Sequence, residues 1–177
     1  VNGTKVSKSL GNTFKLEDIE SKGFSLMDFR LFILQGHYRS EGNFTIENLQ
    51  AAKNRLDNWK NIAAIRHQIH GSSAGDGTIY SPSQALIEAV NNDLNTPDAL
   101  KVIDDTFSRI QKAKLCDIDR AAFVQFIETI DTTLGLEIIK TTHDISDDAK
   151  QIIIERNIAR QNKDWQKSDK LRDQLSA

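Results

Sequence analysis

A chain of 177 residues, 38% hydrophobic and 27% charged, has the length of one or two globular domains and is too apolar for a disordered one. Its net charge of −2 does not announce a nucleic-acid binder; no apolar run reaches the roughly eighteen residues of a membrane span, and no signal-peptide pattern opens the chain. The single cysteine, Cys116, excludes an intrachain disulfide framework and fits a reducing cytoplasm, while His67 and His70 come nearest to ligand spacing without a Cys or acidic cluster to complete a metal site.

In chain order, Val1 is not an initiator methionine, and a polar KVSKS stretch follows after four residues, so the chain reads as a piece of something longer. Val1 to Phe14 reads as short extended segments around that polar turn, and Leu16 to Ile19 as a short helical turn. Ser25 is placed to cap a helix through Leu34, and its FRLFILQ run, apolar on nearly all sides, predicts a buried helix. From Thr45, Ile46, Leu49, Ala52, Leu56, Trp59 and Ala63 recur every three or four residues, the stripe of a long helix with Trp59 in the core. Residues 70–83 crowd Gly, Ser and Asp and predict a loop. In NTPDAL, Thr96 is read as cap, Pro97 as first helical residue and Asp98 as a first-turn carboxylate favoured by the helix dipole. A further helix carries Phe123, Phe126, Ile127, Ile130 and Leu134 and closes at Gly135. Ser146 caps a helix to about Asn162, and Asp164 caps a last one to Leu175, with Trp165 expected to pack between the two. The fold class predicted is mainly α: short extended or β segments around the KVSKS loop, then an antiparallel helical bundle.

Two regions carry candidate chemistry. Lysine is a point charge on a flexible stem, suited to phosphate oxygens; flanking serines add hydroxyl donors, and Gly11 lets the backbone come close. Lys5, Ser7, Lys8 and Ser9 therefore form either a phosphate clamp or a solvated turn. Residues 150–173 hold seven lysines and arginines against Glu155, Asp164, Asp169 and Asp173, a net +3 inside an acidic chain. Arg156, Arg160 and Lys163 follow i, i+4, i+7 spacing, with Lys167 and Lys170 on the next helix, a set able to track an RNA backbone or to form a solvated face. His37, Tyr38 and Arg39 read first as a structural knot after a helix, and Cys116 as structural.

The octet KVSKSLGN resembles the second signature of class I aminoacyl-tRNA synthetases, KMSKS, with Val6 in the methionine's packing position. GHYRS at 36–40 with the NFTIENL that follows, DLNTPDAL at 93–100 and the closing RNIARQNKDWQKSDKLRDQL narrow the resemblance to cysteinyl-tRNA synthetases, over essentially the whole chain. The resemblance implies an enzyme that activates cysteine with ATP and magnesium and esterifies it to tRNA(Cys). It implies Lys8 as the catalytic lysine, with Lys5, Ser7 and Ser9 beside it on the ATP phosphates. It implies a zinc, a His-Ile-Gly-His signature and a Rossmann-type catalytic fold in a part not contained here, so that this chain holds no metal and has no adenylation activity alone. It divides the chain into a KMSKS loop and stem-contact region at 1–70, a helical tRNA-contacting domain at 84–140 and the start of an anticodon-binding region at 145–177, with tRNA contacts at Arg156, Arg160, Lys163 and Lys167. A monomer in the cytoplasm, without a membrane partner, is expected. The rival readings are a paralogue that joins cysteine to an amino sugar and a free-standing helical RNA-binding or scaffolding module.

Overall fold

A computed structural model describes residues 15–69 and 80–176. Among them the regular structure is helical throughout: α1 (Leu16–Ser21), α2 (Leu26–Leu34), α3 (Ile46–Ala64), a 3-10 turn at Ile65–His67, α4 (Tyr80–Asn91), α5 (Thr96–Lys112), α6 (Arg120–Leu134), α7 (Ile138–Thr141), α8 (Asp147–Gln161) and α9 (Trp165–Ser176). The extended segments expected around the KVSKS loop lie outside the described residues.

Helix starts follow the capping chemistry. Ser25 Oγ accepts from the Asp28 amide, and Asp28 Oδ2 accepts in return from the Ser25 amide, so two otherwise orphaned donors are satisfied reciprocally. Thr45, Asp119 and Ser146 cap α3, α6 and α8 in the same sense. At α5 the cap is Asn95, one residue before the expected Thr96. Asn95 accepts from the Asp98 amide at 3.2 Å, while Thr96 turns its hydroxyl toward the Gly36 carbonyl.

Two further expectations are corrected, and one helix is added. The α2 helix is not buried all round: Asp28 and Leu31 are enclosed, but Ile33 is 56% exposed, because a nine-residue helix meets its neighbours along one stripe only. The loop expected at 70–83 ends early, since α4 begins at Tyr80 and holds Pro82 in its first turn, where the missing N–H breaks no helical bond. The short α7 had no periodicity to reveal it. It is held by the Asp131 carboxylate, which accepts from the amides of Ile138 (2.6 Å) and Ile139 (2.9 Å).

The main core joins α2 through α7. Leu31, Leu56, Trp59, Leu86, Ile103, Phe107, Phe123, Phe126 and Ile138 all belong to one cluster. Phe107 is its hub, meeting the rings of Trp59, Phe123 and Phe126 edge-on at 6.2, 6.2 and 5.9 Å. Trp59 is fully buried as its stripe predicts, and its indole N–H donates to Asp104 at 2.8 Å, where Arg55 also binds. A smaller core of Ile19, Phe24 and Leu49, with Phe29, Phe32 and Phe44 against it, anchors α1. The hairpin of α8 and α9 buries much less: only Ala159, Ser168 and Leu171 are enclosed on it.

Candidate RNA interface

That hairpin carries the predicted basic residues. Its connection is tight. Lys163 N–H bonds to Arg160 O (3.0 Å) and Asp164 N–H to Ala159 O (2.8 Å), the paired bonds of a Schellman ending. Lys163 takes the left-handed position at φ 60°, where glycine is usual. Asp164 then caps α9 at once, accepting from the Lys167 amide at 3.0 Å. Arg156 and Arg160 therefore lie on α8 one turn apart, Lys167 lies in the first turn of α9, and Lys163 occupies the turn between the helices. The three cations expected on a single helix face are two on a helix and one at its end, because α8 stops at Gln161.

Ion pairing sorts the seven cations of the segment. Lys150 is bound by Asp144 (2.8 Å) and Asp147 (3.1 Å), and Arg172 by Asp169 and Asp173 (3.0 Å each). These carboxylates hold the Lys150 ammonium and the Arg172 guanidinium above their ordinary pKa values, chiefly through the hydrogen bonds to Asp144 and Asp173. Lys163, Lys167 and Lys170 are exposed and form no ion pair among the described residues. Arg156 is half-buried, and its Nε is enclosed without a hydrogen-bond partner. Trp165 does not pack between the helices as expected: it is 60% exposed at the start of α9, with Ile154 and Ile158 on α8 also half exposed. Ala159, Ser168 and Leu171 are instead the enclosed residues of the hairpin. An exposed ring beside unpaired lysines has the makeup of a base-stacking surface.

A second polar assembly was only half legible. His37, Tyr38 and Arg39, just after α2, converge on Asp93 in the turn before α5. Tyr38 Oη donates at 2.6 Å, Arg39 Nη2 at 2.9 Å, and His37 Nε2 stands 3.8 Å away. The Arg39 guanidinium also sits 5.3 Å over the Tyr38 ring. The Tyr38 hydrogen bond, with Arg39 and His37 behind it, lowers the Asp93 pKa, and the same bond raises that of Tyr38. Asp93 and Leu94 are both left-handed, at φ 55° and 53°. The sequence offers the knot but not its partner, since residues 55 positions apart carry no shared periodicity. GHYRS and DLNTPDAL, two of the stretches that carry the resemblance, thus meet at one point. Cys116 is exposed, its thiol 3.4 Å from Asp117 Oδ1, and so contributes nothing to the core.

Lys5, Ser7, Lys8 and Ser9 lie outside the described residues, as does His70. Among the described residues no three His, Cys, Asp or Glu side chains gather as a metal would require, and no helix is long and apolar enough to cross a membrane.

Residues 1–54 match the family profile described as tRNA synthetases class I (C) catalytic domain, a span running from the KVSKS octet into α3. The whole chain aligns with proteins named cysteine–tRNA ligase: 34% identity over 190 residues in Chlamydia caviae and 36% over 192 in Chlorobium chlorochromatii, each covering 100% of this chain and 39% of the relative. The chain belongs to the cysteine–tRNA ligase family. A third relative of that name, from Proteus mirabilis, is 32% identical over 189 residues, again across 100% of the chain and 40% of its own length. The chain thus spans about two fifths of the length of the cysteine–tRNA ligases it matches. Both the polar knot at Asp93 and the basic hairpin fall within the aligned span, since it includes every described residue.

Proposed function

We propose that this chain is the C-terminal part of an enzyme that activates cysteine with ATP and transfers it to tRNA(Cys). The observation that carries the reading is alignment with cysteine–tRNA ligases across the full 177 residues, joined to an exposed basic hairpin suited to RNA. Lys8 is the catalytic lysine of this reading. With Lys5, Ser7 and Ser9 it would neutralise charge on the ATP phosphates as pyrophosphate departs. Magnesium would accompany the ATP, and the described residues gather no three His, Cys, Asp or Glu side chains that would fit the zinc of this reading. The parent works in the cytoplasm as a monomer, without a membrane. Residues 1–70 serve as loop and stem-contact region, 84–140 as a helical tRNA-contacting domain and 145–177 as the start of the anticodon-binding region.

Arg156, Arg160, Lys163 and Lys167 would bind tRNA phosphates. A filter-binding titration of tRNA(Cys) at several salt concentrations tests this. Each phosphate neutralised adds roughly 0.7–0.9 to the slope of log affinity against log salt. Arg156→Glu with Arg160→Glu is expected to flatten that slope and to weaken cognate and non-cognate tRNA alike, because phosphate contacts carry no base information. An unchanged slope would leave the hairpin a solvated face. In a parent-length enzyme, Lys8→Ala is expected to slow adenylate formation about 10²–10³-fold with little loss of cysteine binding. Undiminished single-turnover activation would remove the loop from the chemistry. Cysteine-dependent pyrophosphate exchange by the 177-residue chain alone is expected at background.

A further inference from the structure

The 3-10 turn, the start of α6 and the first turns of α8 meet at a cluster of basic side chains unrelated to the exposed hairpin lysines. Arg66 and His67 are nine-tenths buried there, with side-chain exposures of 8% and 10%. Arg120, the first residue of α6, donates from Nε to the Arg66 carbonyl at 3.0 Å. Asp144 stands among them, 2.7 Å from His67 Nε2, 2.8 Å from Lys150 Nζ and 3.9 Å from Arg66 Nη2. Asp144 is thus the acidic neighbour of the imidazole at Nε2. The other ring nitrogen, Nδ1, is enclosed without a hydrogen-bond partner. Buried polar atoms left in this state are costly unless something completes them.

Beside the ring is a pocket of about 160 Å³, the room of about five waters at ~30 Å³ each. Four polar residues, His67, Arg120, Lys150 and Asn157, share its lining with four isoleucines. No carboxylate lines it, although Asp144 reaches both His67 and Lys150, and Asp147 reaches Lys150. A concave site lined by two cations, an amide and a buried imidazole offers donors to an anion, which competes with Asp144 and Asp147 for Lys150. We propose that this pocket binds a tetrahedral oxyanion of the phosphate class.

Anion binding here is independent of RNA binding by the hairpin lysines. His67 couples the pocket to pH. Burial, then the charge of Arg66, hold the imidazole below its ordinary pKa; Lys150 and Arg120 add to this and Asp144 opposes it. An anion in the pocket reverses the balance, so binding takes up a proton on His67 and tightens as pH falls.

Sulfate is the probe, being doubly charged throughout the range where His67 titrates. Sulfate titrated into the whole chain at constant ionic strength, with the His67 ring followed by NMR, is expected to give a saturating shift. Affinity should be several-fold tighter at about pH 5.5 than at about pH 7.5, on either side of the ordinary imidazole value. Lys150→Gln and Arg120→Gln should each weaken binding roughly ten-fold, the scale of one charge-assisted contact. Asn157→Asp, which adds a carboxylate to the lining without removing a cation, should abolish binding while the melting transition stays cooperative. His67→Gln should leave weak binding that no longer depends on pH. A short RNA lacking terminal phosphates separates the sources: displacement of sulfate assigns the pocket to a phosphodiester backbone, and retention of sulfate assigns it to a free anion. A shift linear in sulfate and reproduced by chloride, or undiminished binding in Asn157→Asp, would overturn the site.

Discussion

Lys163 illustrates how much one residue's position can differ from its place in a sequence pattern. Its spacing from Arg156 and Arg160 suggests a third cation on a helix, yet it closes the helix in a left-handed conformation. A side chain there meets steric opposition of about 1–2 kcal/mol that glycine escapes, offset in part by glycine's larger unfolded-state entropy. Lys163→Gly is therefore expected to raise stability by about 0.5–1 kcal/mol in urea unfolding, while lowering the salt slope for tRNA by about one contact. A loss of stability would mean that the lysine side chain makes up for its backbone. Trp165 makes the complementary point: its sequence neighbours suggest a packing anchor, but the enclosed residues of the hairpin are Ala159, Ser168 and Leu171, and the indole is left at the surface.

At the scale of the elements, caps and stripes were readable because they are local. Ser25, Ser146, Asp164 and Gly135 act where the pattern puts them. What they are tied to was not readable. Gly135 ends α6 at φ 65°, and a Cβ there would stand 2.7 Å from Arg30 Nη2 and 2.9 Å from its Cζ. The same Arg30 donates from Nε to the Leu134 carbonyl at 2.6 Å, linking α2 to the end of α6. Gly135→Ala thus combines a left-handed alanine with displacement of that guanidinium. We expect a loss of about 2 kcal/mol, beyond the roughly 1 kcal/mol of the backbone alone. Arg30→Ala in the same background should remove the excess. If Gly135→Ala costs the same with and without Arg30, the contact carries no energy.

For the molecule as a whole, His67 connects solution pH to the seam between the bundle and α8. The neutral imidazole is favoured in the folded protein, so the unfolded chain binds more protons in the window below the ordinary imidazole pKa of 6.5. Stability then rises with pH through that window and is lost as pH falls below it. Chemical denaturation from about pH 7.5 down to about pH 5.5 should show this loss, and His67→Gln should abolish it over the same range. A slope unaffected by the substitution would place the titration elsewhere. The sequence by itself determined the helical bundle of the described residues, most helix limits, the burial of Trp59 and the family, because hydrophobic period, capping chemistry and signature spacing are all written locally along the chain. Only the tertiary structure decided that Asp93 gathers His37, Tyr38 and Arg39, that Asp144 reaches Arg66 and His67, and that His67 Nδ1 is enclosed without a hydrogen-bond partner near Arg120 and Lys150. Those relations join residues far apart in the chain, and their energies depend on distance and burial, which no linear spacing encodes.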